Sequence, residues 1–331
     1  MIEFSKLSDL SKIKRLNNKE MLLLYSYLAG AIDGDGSIGI SKRKSKIEGR
    51  YLYSPIIQFL SRMTITPNIF KFLYGGNIIN MNDFNKYRIF MCKYSCSHNV
   101  CINLCKDIYP FIKIKKKQIK LLFEVNKLNK IKMGCIKRSN DHINKLEELY
   151  LQCKKLNNRI NKNRIEDKIK FYNNLDINEN NIQLYHAYLA GILDADGYIS
   201  IRRPGPNRNF YKEYIAINQI DYEAISILEK MFNVKSYLSD RSEIAFGKSI
   251  CKPKYEFISS LQNSIKICKA IYPYIIEKKN QIDILFELRA LINDVKINKT
   301  KVRMIDQEIL YLKCKYLNNG GTIEGLNNIH I

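Results

Sequence analysis

Tryptophan is absent from this 331-residue chain, and histidine occurs four times. His98, His142, His186 and His330 form no pair at metal-ligand or relay spacing, so histidine-based zinc chemistry and a nucleophile–histidine relay have no sequence support. No phosphate-cradling glycine loop and no nucleophile elbow occur. No apolar run reaches the roughly 18 residues that a membrane span needs. The first twenty residues lack the apolar stretch of a secretory signal, and Glu3, Asp9 and Glu20 argue against an acid-poor transit peptide. The nine cysteines are odd in number and scattered, which suits a reducing interior better than a disulfide framework. Cys92, Cys96, Cys101 and Cys105 lie close together in "CKYSCSHNVCINLC", but their spacing is unlike paired Cys-x-x-Cys zinc ligands.

Acidic residues are also in deficit. Fifty-five Lys and Arg against 32 Asp and Glu leave a net charge of +23. A surplus of that size implies a polyanionic partner, with nucleic acid first. A membrane surface is disfavoured, because no basic amphipathic helix stands apart from the core pattern. Abundant Asn, Lys, Ile and Tyr fit an AT-rich coding genome and an intracellular setting. An organelle (mitochondrion or chloroplast) or a bacterial cytoplasm meets that description.

The chain repeats itself. "YLAGAIDGDGSIGI" at Tyr27 returns as "YLAGILDADGYISI" at Tyr188. "EELYLQCKKLNN" at Glu147 returns as "EILYLKCKYLNN" at Glu308, and the segment beginning at Cys105 returns at Cys268. Three anchors in one order, about 160 residues apart, mean a duplicated domain; the period is far too long for a solenoid. The expected organisation is an N-terminal repeat over 1–158 with 1–19 as an extension, a polar linker over 159–182, and a C-terminal repeat over 183–331. A monomer with a pseudo-two-fold axis follows.

Each repeat reads as α-β-β-α-β-β-α, an α+β fold with helices on one face of an antiparallel sheet. Periodicity predicts a helix over Glu20 to Asp33 and a strand over Ser37 to Arg43. Thr66-Pro67 reads as a helix N-cap and first turn. Three helices are predicted beyond the second hairpin, over Asn99 to Tyr109, Lys116 to Lys130 and Asn140 to Leu156.

Gly30 and Gly34, and Gly191 and Ala195, are each four apart, one helical turn. Such small-residue patches allow two helices to approach closely. Packing the two helices along the pseudo-axis brings Asp35 and Asp196 together at their C-terminal ends. There the carboxylates oppose the helix dipole and each other. A divalent cation would offset both effects, and oxygen-only ligands beside phosphate suit Mg²⁺. Metal-assisted phosphodiester hydrolysis is the chemistry that follows.

"LAGAIDGDG" and "LAGILDADG" resemble the signature of the LAGLIDADG homing endonuclease family in its single-chain, two-repeat form, and the resemblance runs from about Glu20 to Asn319. It implies antiparallel saddle-shaped sheets over the DNA major groove, signature helices at the repeat interface, and hydrolysis of both strands of a long asymmetric double-stranded target. Asp35 and Asp196 match the acids that bind the family's catalytic metals, two or three ions shared between them. The carbonyls of Gly34 and Ala195 match positions that also face metal. Asp33 and Asp194 match the earlier, structural acid. Lys115 and Lys278 match the basic residue near the scissile phosphate. Gln219, read as preceding a helix cap at Asp221, resembles the polar residue that orders solvent. Its first-repeat counterpart is Arg62, with Thr64 as the alternative. Strand alternation points Gly39, Ser41 and Arg43 outward toward DNA, and Ser200 and Arg202 in the second copy. The alternative on the same scaffold is an intron maturase that binds RNA without cutting; a third option is a DNA-binding regulator. No intein splicing signals flank the domain, which favours a free-standing or intron-encoded protein.

Overall fold

The computed structural model describes residues 3–45, 51–81, 91–130, 140–158, 172–203, 205, 211–239, 245–246, 249–250, 254–298 and 304–326. The first signature helix, α1, spans Asn18–Asp35. A capping box starts it: Asn17 Oδ1 accepts from Glu20 N at 2.9 Å, and the Glu20 carboxylate accepts from Asn17 N at 3.2 Å. The helix runs two residues past the predicted Asp33 and stops where Gly36 turns extended. Asp35 therefore belongs to the last helical turn rather than to the loop beyond it.

In the first repeat, β1 (Gly36–Lys44), β2 (Tyr51–Ser61), α2 (Ile65–Tyr74), β3 (Asn77–Met81), β4 (Met91–Ser97), α3 (His98–Ile108), α4 (Lys116–Lys130) and α5 (Asn140–Asn157) follow α1. The second repeat contains α6 (Ile182–Asp196), β5 (Gly197–Arg202), β6 (Lys212–Gln219), α7 (Glu223–Phe232), β7 (Tyr237–Ser239), β8 (Ala245–Phe246), β9 (Ser249–Ile250), β10 (Lys254–Ser260), α8 (Gln262–Ile271), α9 (Lys279–Asn298), α10 (Met304–Asn318) and a short α11 (Ile323–Leu326). Among the described residues the first half carries three helices after its second hairpin, as predicted, and the second half the same three followed by the short α11. Thr66 is not the cap of α2. Thr64 occupies that position, and Thr66 lies inside the first turn. Likewise Tyr222, not Asp221, precedes α7. Residues 159–171 of the expected linker lie outside the described residues.

Two four-stranded antiparallel sheets result, ordered β1-β2-β4-β3 and β5-β6-β10-β7. Alternation sorts the side chains. Ile38, Ile57, Phe59, Tyr94 and Cys96 are buried on the helix-covered face of the first sheet, and Ile199, Ile215, Ile217 and Phe257 on that of the second. Cys92 belongs to the same buried register as Tyr94 and Cys96, so these cysteines are core residues of β4. Cys96, Cys101 and Cys105 hydrogen-bond in series, which pushes the Cys96 and Cys101 thiols upward. The last long helix of each half clamps the first strand in the same way. Asn157 Nδ2 donates to Ile38 O at 2.9 Å, and Asn318 Nδ2 to Ile199 O at 2.9 Å.

The N-terminal extension is integral to the core. Phe4 is fully buried against Tyr27 and Tyr274, and Phe4 N donates to Pro273 O at 2.9 Å. No helix among the described residues is long and apolar enough to cross a membrane.

The halves meet along α1 and α6. A Cβ on Gly30 would lie 2.0 Å from Tyr188 O, and one on Gly191 would lie 2.1 Å from Tyr27 O. The two backbones touch, and only glycine permits that.

Candidate active site

Both signature helices end at the same place. A Cβ on Gly34 would sit 2.4 Å from the Ala195 Cβ and 3.3 Å from Asp196 Oδ2. The carboxylate of the second repeat therefore overlies the last turn of the first. Asp35 and Asp196 both reach solvent. Surrounding protein nevertheless desolvates Asp35, and this, followed by the negative charge of Asp196, pushes its carboxyl up to about 6. Desolvation raises Asp196 too, against the pull of Lys115, Gln219 and Lys278.

The acids two residues earlier have another task. Asp33 accepts backbone N–H groups from Lys113 (2.7 Å), Ile114 (3.0 Å) and Lys115 (2.9 Å). Asp194 does the same for Ile276 (2.8 Å), Glu277 (3.0 Å) and Lys278 (2.9 Å). Each carboxylate fixes the loop that carries the lysine of its own repeat. A tyrosine of the opposite repeat completes it: Tyr188 Oη donates to Asp33 Oδ2, and Tyr27 Oη donates to Asp194 Oδ2.

Those loops turn Lys115 and Lys278 inward. Lys115 Nζ donates to Ile32 O (2.7 Å), Asp33 O (2.7 Å) and Gly34 O (3.2 Å). Lys278 Nζ donates to Leu193 O (2.7 Å), Asp194 O (2.8 Å) and Gly197 O (2.7 Å). Apart from Gly197 at the start of β5, these carbonyls belong to the last turn of each signature helix, so the ammonium groups sit at the negative helix ends. Burial pulls both lysines below their ordinary range; Asp33, Asp196 and Asp35 resist that shift at Lys115, and Asp194, Asp35 and Asp196 at Lys278. Neither lysine is a solvated helix-start residue.

Gln219 is buried at the end of β6, with its amide donating to Asp196 Oδ2. The expected first-repeat counterpart needs correction. Gly36 pairs with Phe59 and Gly197 with Ile217, so Ser61 occupies the register of Gln219. Ser61 Oγ instead accepts from Met63 N at 3.0 Å. Arg62 is the next residue, exposed, and its charge acts on Asp35. Gly197 and its partner Ile217 are 20 residues apart, against 23 for Gly36 and Phe59; that difference hid the shift, because the sequence anchors fix the ends of each repeat and not its first hairpin.

On the open sheet faces, Gly39, Ser41 and Arg43 alternate with buried Ile38 and Ile40. Arg202 is exposed and stacks 3.5 Å from the Tyr214 ring centroid. Ser200 departs from expectation. It shares that face but is only 4 % exposed, because it pairs directly with Tyr214 and lies between Tyr198 and Arg202. A small side chain among three large ones is covered by them.

Glu277 was not legible as a site residue. It is buried, Thr66 N and Thr66 Oγ1 donate to its Oε1 at 2.8 and 2.6 Å, and Tyr27 Oη lies 3.1 Å from Thr66 Oγ1. Tyr27 and Tyr188 were visible only as recurring letters; their place at the head of both signature copies was the signal. Among the described residues, no three His, Cys, Asp or Glu side chains are grouped to hold a metal. The hard oxygens of Asp35 and Asp196 with the Gly34 and Ala195 carbonyls fit a divalent cation whose coordination is completed by solvent or phosphate. The crowded, mutually repelling pair is what such a charge would relieve.

No family model and no curated protein sequence matches the chain. Solved structures do match. I-LtrWI, described as a LAGLIDADG homing endonuclease bound to target DNA, superposes with a TM-score of 0.58 at 17% identity, covering 92% of this chain and 99% of the other. The LAGLIDADG meganuclease I-AabMI, bound to uncleaved DNA, gives 0.56 at 17% identity over 90% and 99%. I-SmaMI bound to uncleavable DNA gives 0.56 at 16% identity over 90% and 97%. The chain has the single-chain LAGLIDADG homing endonuclease fold. Its α1 and α6 carry the two copies of the repeated "LAG" segment. The similarity spans both repeats, so the pseudo-symmetric arrangement of LAGLIDADG halves is a property of the whole fold and not of one motif.

Proposed function

We propose that this protein is a site-specific DNA endonuclease that hydrolyses both strands of a long, asymmetric duplex target. The carrying observation is the convergence of Asp35 and Asp196 at the touching ends of α1 and α6, with one buried ammonium from each repeat beside them. I-LtrWI and I-AabMI are bound to DNA in their structures, which supports the choice of duplex DNA, and the charge of +23 supplies the attraction to phosphate.

Asp35 and Asp196 hold a divalent cation, Mg²⁺ in our reading, with the Gly34 and Ala195 carbonyls as further donors. I-SmaMI was solved on uncleaved DNA in the presence of calcium ions, which supports divalent metal at this fold. When bound, the cation supplies Lewis-acid activation of water and charge neutralisation at the phosphate. The protein contributes position. Gln219 orients Asp196; Lys115 and Lys278, each locked by three carbonyls, place positive charge where the phosphate gains negative charge. Arg62 supplies the equivalent of a polar neighbour beside Asp35. Each half contacts one half-site, and unlike halves remove any need for a palindrome. Gly39, Ser41, Arg43 and Arg202 face the duplex, and a single chain suffices.

The test is plasmid or library nicking in Mg²⁺ by the wild type, Asp35→Asn and Asp196→Asn. Cutting by the wild type and its loss in both variants is expected. RNA binding with no DNA cutting by the wild type would replace this reading with the maturase.

A further inference from the structure

The two open sheet faces differ in chemistry. Strand register places Leu52, Ile56 and Leu60 of β2 on the same face as Gly39, Ser41 and Arg43. The row continues through Lys93 to Ile79, and Met81 lies two residues along the same edge strand. Leu52 is 50%, Ile79 54% and Met81 47% exposed. These exposed apolar side chains are set among Ser41, Ser54, Gln58 and Asn77 of the same face; large apolar groups left in solvent there mark a contact surface, and Arg43 and Lys93 give it a positive charge. No acid and no tyrosine stands on this face among the described residues.

The second face is built from hydrogen-bonding groups. Tyr237 Oη donates to Glu256 at 2.7 Å, Lys254 pairs with Glu256 at 3.3 Å, and Arg202 lies on Tyr214 beside Tyr198. These groups are already aimed and partnered.

Base edges differ in the same sense. In the major groove the thymine 5-methyl is the one apolar feature, and every other identifying group is a donor or an acceptor. We infer that the first repeat reads its half-site through thymine methyl groups packed on Leu52, Leu60, Ile79 and Met81, whereas the second reads hydrogen-bonding edges. This rests on the duplex-DNA reading above and adds the base class that each half selects.

The experiment uses the full-length chain and a duplex that it selects from a randomised library in Ca²⁺. Thymines are replaced by uracil in one half-site at a time, which removes the methyl and leaves every donor and acceptor. Binding is measured for the wild type and for Ile79→Ser and Leu60→Ser. Both substitutions are at exposed positions on the sheet face opposite the buried core. The expected result is about three- to fourfold weaker binding per critical methyl in one half-site only, the loss expected for a methyl-sized apolar contact. The serine variants should bind the parent duplex more weakly and lose the thymine–uracil difference in that half. Equal sensitivity of both halves, insensitivity of both, or a difference that survives both serine substitutions overturns the inference while leaving DNA recognition intact. Failure to select any duplex overturns the DNA reading itself, and this inference falls with it.

Discussion

Tyr188 of the second repeat donates its hydroxyl to Asp33 of the first at 2.9 Å, inside the interface between the halves. Tyr27 returns the contact to Asp194 at 2.8 Å. Each aspartate at the same time holds the loop that delivers its own repeat's lysine. Docking of the halves and placement of the lysines are therefore one arrangement. Tyr27→Phe and Tyr188→Phe should each cost about 1–3 kcal/mol, the penalty for a buried acceptor that loses its donor. Urea denaturation measures it, and a cost near zero for both would show that the tyrosines pack without bonding.

Contact between α1 and α6 leaves no room for a methyl group. Gly30→Ala and Gly191→Ala should destabilise by about 1–3 kcal/mol or more through overpacking. Gly205→Ala, with nothing within 4 Å of the added atom, serves as the neutral control in the same thermal melts.

Lys115 and Lys278 fill cages of three carbonyl oxygens. Lys115→Met and Lys278→Met should lower cleavage by about 10²–10³, the range for loss of a fixed charge at a developing one. Arginine should not rescue either, because a planar guanidinium does not fit a cage shaped for a compact ammonium. Single-turnover cleavage, with circular dichroism to confirm folding, separates this from unfolding.

Burial, followed by the charge of Asp194, pushes the Glu277 carboxyl up to about 7. Its Oε2 has no hydrogen-bond partner. A carboxyl with a raised folded-state pKa favours the native state while it stays protonated. Its contribution is full below the ordinary value of 4.5 and is lost as pH rises through about 7. Glu277→Gln should match the wild type near the acid end of that window. Above it the variant should gain about 3 kcal/mol, at about 1.4 kcal/mol for each unit of the rise from 4.5 to about 7. Melts on both sides of the window decide it; a gain at acid pH alone contradicts the sign.

Asp35 and Asp196 repel each other at neutral pH. Ca²⁺ should therefore raise the Tm of the wild type, and the rise should vanish in the Asp35→Asn, Asp196→Asn double variant, by mass action on a site present only in the native state. Calorimetry with and without chelator measures it. An equal rise in both proteins would place the ion elsewhere.

The signature helices, the two sheets and the converging acids were legible because duplication writes the same local pattern twice. Small residues one turn apart declare a close helix contact, and alternating Ile38 and Ile40 declare a half-buried strand. The end of α1 was read two residues early, since Gly34 and Gly36 look like stops and only Gly36 is one. Ser200 was legible as to its face but not its burial, because what covers it comes from a paired strand.

The sequence by itself determined that there are two halves, that each opens with a helix ending in acid, and that the whole is strongly basic. Those properties reside in composition and short-range periodicity. Only the tertiary structure decided that Ser61, not Arg62, stands in the register of Gln219, that each lysine caps a signature helix, and that a tyrosine of one half satisfies an aspartate of the other. Such contacts join residues tens to hundreds of positions apart. They depend on strand register and on how closely two backbones can approach, and no local pattern encodes either.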